Sequence, residues 1–181
     1  MSRTRAAVAA LLIVASAVAT DAQGLMTRDE ALAAVFPGAT LKSEQLFLTP
    51  AQQTEVQRRA GGELSSALVA RYVATAEGKM VGRAYVDTHP VRTKKESLLI
   101  SLDATGKVRR IDVTAFQEPR EYQAPDAWVR QYRDRTLTED LVVDRAIRVI
   151  AGATLTARAT NAAIRRVLAI DSVLGSIGGR P

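Results

Sequence analysis

Between residues 66 and 115 the chain repeats one pattern: a run of strand-forming residues, then a turn signal. Leu68-Val69-Ala70-Arg71-Tyr72-Val73-Ala74 is followed by Glu77-Gly78-Lys79, and Met80 to Val86 by Asp87-Thr88-His89-Pro90. Leu98, Leu99, Ile100 and Leu102 lead into Asp103-Ala104-Thr105-Gly106, after which Ile111, Val113 and Ala115 alternate with Arg110, Asp112 and Thr114. Strict alternation marks a half-buried strand, and connections this short join antiparallel neighbours. The segment is therefore expected to form an antiparallel sheet of about four strands, one face covered and the other partly wet. Pro90 is read as ending its strand, because proline donates no ladder hydrogen bond.

Helices on either side must do the covering. Thr27-Arg28-Asp29-Glu30 is a capping-box start, and Ala31, Leu32, Val35 and Phe36 form an apolar stripe before Pro37-Gly38. Thr40 to Leu48 reads as a weak strand. Thr49-Pro50 with Gln52 opens a second, polar helix that Gly61-Gly62 stops. Beyond the sheet, Pro125 opens a short helix with Trp128 and Tyr132 on one face. The last helix, Ala157 to Ile170, sets Ala159, Ala162, Ala163, Val167 and Leu168 on one side, with Thr160, Asn161, Arg165 and Arg166 expected to face away. The fold class is α+β, a single domain behind a leader. Its parts are a signal peptide at 1–22, a helical lead-in at 23–62, the α+β domain at 63–174 and a tail at 175–181.

Residues 1–22 read as a secretory signal: Arg3 and Arg5, an apolar core from Ala6 to Val18, then small residues with cleavage after Ala19 or Ala22. The apolar run is short for a membrane span, which needs about 20 residues. An uncleaved anchor is the alternative. The 181 residues contain no cysteine and one histidine, which excludes a disulfide frame or thiolate site and argues against zinc. The formal charge of +6 is dispersed among acids rather than gathered in a block, so nucleic acid is not an expected partner.

One stretch carries chemistry. In Ile150-Ala151-Gly152-Ala153-Thr154-Leu155-Thr156, small residues permit close approach to the backbone, and hydroxyls stand at the mouth of a helix whose free N–H groups and positive dipole end suit a phosphate. Thr156 is read as the helix cap, with phosphate contact as its second role. This loop and the alanine-rich helix after it resemble the FMN-binding domain family, whose members include flavin-carrying subunits of the sodium-pumping NADH:quinone reductase and of the Rnf complexes. The resemblance runs from about Ser97 to Ile170 and is sharpest at Gly152-Ala153-Thr154. The order of elements also agrees: strand, D-x-T-G-K turn, strand, Glu118-Pro119, Trp-bearing helix, loop and terminal helix.

The resemblance implies FMN joined through its phosphate to Thr154 by a separate flavin transferase, with Ala151, Gly152, Ala153, Leu155 and Thr156 around it. Arg148 stands where the family has an acid, and Ala151 where it has a small hydroxyl. Arg148 is either a solvated charge or a partner for the phosphate. Trp128 either anchors its helix to the sheet or stacks on the isoalloxazine ring. His89 is expected to be a solvent-exposed turn residue. The function expected is an exported, periplasmic or membrane-associated electron carrier that exchanges electrons with membrane-bound proteins. The alternative is a secreted binding or scaffold domain of the same fold without flavin.

Overall fold

The computed structural model describes residues 25–178, so the signal reading of 1–22 lies outside the described residues. The order is α1 (Arg28–Val35), β1 (Thr40–Phe47), α2 (Pro50–Ala60), β2 (Leu68–Ala76), β3 (Lys79–Pro90), β4 (Lys95–Asp103), β5 (Val108–Phe116), α3 (Asp126–Val129) and α4 (Thr154–Gly178), with 3₁₀ turns at Arg120–Tyr122 and Arg130–Tyr132. The strands form one antiparallel sheet in the order β1-β2-β3-β4-β5. The sheet has five strands rather than four, because the weak Thr40–Phe47 strand pairs along its whole length with β2. The lead-in at 23–62 is thus part of the domain. Likewise, the boundary at 174 falls inside α4.

Local chemistry sets the ends of these elements. Thr27 and Glu30 bond reciprocally at the start of α1, and Thr49 and Gln52 do so at α2, with Pro50 in the first turn. Glu77 and Gly78 both have positive φ, as the two central residues of a tight hairpin require. The strand does not break after Val86 but runs on through Asp87, Thr88 and His89 to Pro90, the last pair of the β3–β4 ladder, opposite Lys95. As the terminal residue it leaves no interior ladder position without a donor.

The sheet is covered on both faces. On one, Ala31, Leu32, Val35 and Phe36 of α1 pack against Ala74, Ala84 and Leu99. On the other, Tyr85, Leu98, Ile100, Leu102, Ile111 and Val113 form the main core with α2, α3 and α4. Gly82 is what admits Phe36: a Cβ there would fall against the Phe36 ring and the Leu102 carbonyl.

Helix α4 is not amphipathic in the expected sense. Thr160 and Asn161 are buried, and Arg166 nearly so, because the sheet lies on one side of the helix and α2 with the 138–141 segment on the other. Each polar side chain has a partner. Asn161 donates to the Tyr132 hydroxyl and the Leu141 carbonyl, and Arg165 donates to the carbonyls of Ala60, Thr138 and Leu141.

Alternate residues of β3 meet α4 in a line of polar contacts. Arg83 forms a two-point ion pair with Asp171, whose Oδ1 also accepts from the Tyr85 hydroxyl at 2.7 Å. Arg166 forms a two-point pair with Asp87 at 2.7 and 2.8 Å. His89, expected in solvent, is buried between Asp87 at 2.9 Å and Glu96 at 3.2 Å, and Glu96 accepts in turn from Thr160 at 3.0 Å. Both imidazole nitrogens face carboxyl groups, and a doubly protonated ring donates to both. Burial opposes the charge on His89, but its bonds to Asp87 and Glu96 outweigh that and raise its pKa above 6.5. Burial also pushes the Asp87 carboxyl up, and the bonds from His89 and Arg166 overcome it and hold the pKa below the usual value.

Two predictions follow from this packing. Gly82→Ala should destabilise by about 1–3 kcal/mol through overpacking against Phe36, measured by urea unfolding. The second concerns pH. Stabilisation by charged His89 is complete below about pH 6.5 and is lost as the pH rises through its raised folded-state value. That from Asp87 is present above about pH 4 and is lost as the pH falls through its lowered value. The melting temperature should therefore be highest between about pH 4 and 6.5. His89→Gln should flatten the alkaline decline and shrink the acid one without removing it, since Arg166 still pairs with Asp87, as read by thermal scans across pH.

Candidate functional site

The site lies where the N-terminus of α4 meets the β3–β4 turn. The approach to it is fixed by backbone bonds. The Arg148 amide donates to Gln131 Oε1 at 3.0 Å, and the Arg148 carbonyl accepts from Trp128 Nε1 at 2.5 Å. Ile147, next to it, is fully buried in the main core. The chain then turns through Gly152, whose φ of 78° is the left-handed conformation that glycine adopts without strain. Nothing lies within 4 Å of where a Gly152 side chain would begin, so a ligand has room against this backbone.

Helix α4 begins at Thr154, three residues before the expected Ala157, with its first backbone bond from the Ala157 amide to the Ala153 carbonyl at 3.0 Å. Thr156 is therefore in the first turn rather than at the cap. The amides of Thr154, Leu155 and Thr156 precede that first bond and are the unpaired donors of a helix start. The two hydroxyls differ in access: Thr154 is exposed, whereas Thr156 is 1% exposed.

The opposite wall comes from Val91 and Arg92 in the β3–β4 turn and from Glu118 and Tyr122 beyond β5. Glu118 holds the turn in place: its Oε1 accepts from the amides of Thr93 at 2.7 Å and Lys94 at 2.8 Å. Backbone donation from Lys94 and Thr93 keeps the carboxyl below its ordinary pKa. With Gly152, Ala153, Thr154, Leu155 and Thr156 these residues enclose a cleft of about 260 Å³. Val91, Ala153, Leu155 and Tyr122 make much of its wall apolar; Arg92 supplies a cation.

Five of the expected residues thus come together: Gly152, Ala153, Thr154, Leu155 and Thr156. Three do not line the cleft. Ala151 is exposed beside it. Arg148 turns its guanidinium toward Gln131, at 3.4 Å. Trp128 is 7% exposed, packs edge-on against Tyr132 with ring centres 5.5 Å apart, and acts on the loop through the Arg148 carbonyl. Sequence reasoning missed Val91, Arg92 and Tyr122, and did not see that Glu118 clamps a turn 24 residues away. A glutamate before a proline gives no signal of that kind. Among the described residues, no group of three His, Cys, Asp or Glu side chains is arranged to hold a metal ion.

Trp128→Phe keeps the ring packing and removes the donor to Arg148. It should cost about 1–3 kcal/mol, the range for a partly buried carbonyl left without its partner. Hydrogen exchange should speed up at the amides of residues 149–153, while the β-sheet amides stay protected.

The cleft is smaller than the roughly 300–1,000 Å³ of sites that enclose a whole small-molecule ligand. It suits one end of a nucleotide, with unpaired amides and Arg92 for a phosphate and apolar walls for an aromatic ring. Residues 94–169 match the model of the FMN-binding domain family, and this span includes every lining residue except Val91 and Arg92. No curated protein and no solved structure matches the chain. Over residues 94–169 the chain thus matches the FMN-binding domain family, and FMN is the cofactor that this match indicates.

Proposed function

We infer that this protein is an exported flavin carrier that passes electrons between membrane-bound partners, with FMN joined through its phosphate to Thr154. The observation that carries the linkage is the contrast between the two hydroxyls. Thr154 is exposed at the first position of α4, where the helix dipole favours a phosphate, and Thr156 is buried behind it. An enzyme acting from outside reaches the first and not the second.

A threonine hydroxyl is a weak nucleophile without a base to assist it. Glu118, the carboxylate in the cleft wall, is occupied by backbone amides and held below its usual pKa, which makes it a poor base. The linkage is therefore assigned to a separate flavin transferase. The residues that would hold the cofactor are Arg92 and the first amides of α4 at the phosphate, with Val91, Leu155 and Tyr122 as apolar contacts. Bound flavin supplies the redox chemistry; the chain supplies position and electrostatics.

Export rests on the signal-like start of the sequence. Among the described residues no helix is long and apolar enough to cross a membrane. A second reading, a binding or scaffold domain without linked flavin, is favoured by Arg148 and Ala151. Neither residue lines the cleft, so both bear on recognition by a transferase more than on the fit of FMN.

After coexpression with a flavin transferase, the tryptic peptide covering 149–158 should gain the mass of FMN less water. Thr154→Ala should abolish this adduct, and Thr156→Ala should retain at least part of it. An unmodified wild-type peptide would remove the covalent reading and leave the second one.

A further inference from the structure

We propose that the cleft between the outer edge of β5 and the helical stretch 126–133 is a docking groove for an extended acidic segment of a partner protein, which adds to the sheet as a strand beside β5. β5 ends the strand order, so only its inner edge is paired with β4. On the outer edge Val108 bonds to Arg135 and Asp134; beyond it, among the described residues, no backbone bond joins residues 109–116 to another element. A row of free amides and carbonyls is a template for another strand.

The cleft has a volume of about 610 Å³, and residues 108–113 all line it. Alternate side chains of a strand point to opposite faces, so six consecutive residues share one cleft only where it wraps the strand's edge. Asp126, Val129, Arg130 and Arg133 line it at helical spacing, and so do Leu25 and Met26, whose Sδ accepts from Arg110.

Charge selects the occupant. Arg109, Arg110, Arg130 and Arg133 line the cleft against Asp112 and Asp126. Arg110 is already matched by Asp112 at 2.6 Å, and Arg109 lies over the Phe36 ring. Arg130 and Arg133 are exposed and form no ion pair among the described residues. An extended chain with acidic side chains on one side meets these guanidiniums while its backbone pairs with β5. The chain's own first 22 residues carry Arg3 and Arg5 against Asp21, the same sign as the groove.

The groove adjoins the flavin cleft. Gln123 lines the first and Tyr122 the second, so a docked partner sits beside the cofactor site. The docking itself does not depend on bound flavin.

The test uses the full chain and a displayed library of random octapeptides. Selected peptides should carry Asp or Glu at alternate positions and protect amides within residues 109–116 from hydrogen exchange. Binding should weaken as salt is raised. Methylating alternate backbone nitrogens of a selected peptide should abolish binding. The exposed double variant Arg130→Glu, Arg133→Glu should weaken binding at least about tenfold, the equivalent of one or two charge-assisted contacts, with an unchanged melting temperature. Selection without acidic bias, protection elsewhere, or equal binding of the methylated peptide would overturn the proposal. So would protection of 109–116 without peptide in a chain of dimeric mass, which assigns the edge to a second copy. Because every readout is peptide binding, failure here is distinct from failure of the flavin assignment.

Discussion

The ion-pair line between β3 and α4 sets the geometry of everything else. Arg83, Tyr85, Asp87 and His89 share one face of the strand and meet Asp171, Arg166 and, through Glu96, Thr160 on the helix. Residues 83 to 89 span about 20 Å at ~3.3 Å per residue, and residues 160 to 171 about 16 Å at ~1.5 Å per residue. The two ladders therefore keep step. Hydrophobic contact alone would let a long helix slide along a sheet, because apolar packing is non-directional. Two-point pairs between guanidinium and carboxylate are directional, and removing one partner of such a buried pair leaves an uncompensated charge.

This register extends directly to the site. Continuing the line past His89 brings the chain to Val91 and Arg92, and continuing past Thr160 brings it to Thr156 and Thr154. The two walls of the cleft at the start of α4 are thus the ends of two elements locked together further down. The remaining freedom lies in the loop before α4 and in the β3–β4 turn. The loop is held by Trp128 on the Arg148 carbonyl and Gln131 on the Arg148 amide, and the turn by Glu118 on the Thr93 and Lys94 amides. The rigid line sets coarse position, and the clamps set the orientation of the few residues that line the cleft.

The β5 edge shows the same economy at the other side of the molecule. Closing a sheet or covering its edge removes the hazard of unwanted pairing. Here, among the described residues, the outer edge has no backbone bond beyond Val108 and is lined by arginines instead. On the docking proposal, those charges are what an acidic strand would meet. The helical stretch 126–133 therefore serves two surfaces: Trp128 and Gln131 organise the flavin loop, and Arg130 and Arg133 face the groove.

Local chemistry alone determined much of this protein. Capping boxes at Thr27 and Thr49, the Glu77-Gly78 and Asp103–Gly106 turns and the alternation through Ile111 and Val113 are effects of neighbouring residues, so they were legible before any tertiary structure. The small-residue loop at Gly152-Ala153-Thr154 was legible for the same reason, but the helix start was misplaced, at Ala157 rather than Thr154. Tertiary structure decided the rest. His89 and Pro90 carry local signals of a break, but pairing with Glu96 and Lys95 continues the strand and buries the imidazole. Thr160, Asn161 and Arg166 look like an outward face, yet each finds its partner on another element. Thr154 and Thr156 are alike in sequence and differ only in what packs over them. Arg92 and Tyr122 reach the cleft from turns 30 residues apart, and no local pattern encodes a meeting that depends on the register of a whole helix against a whole strand.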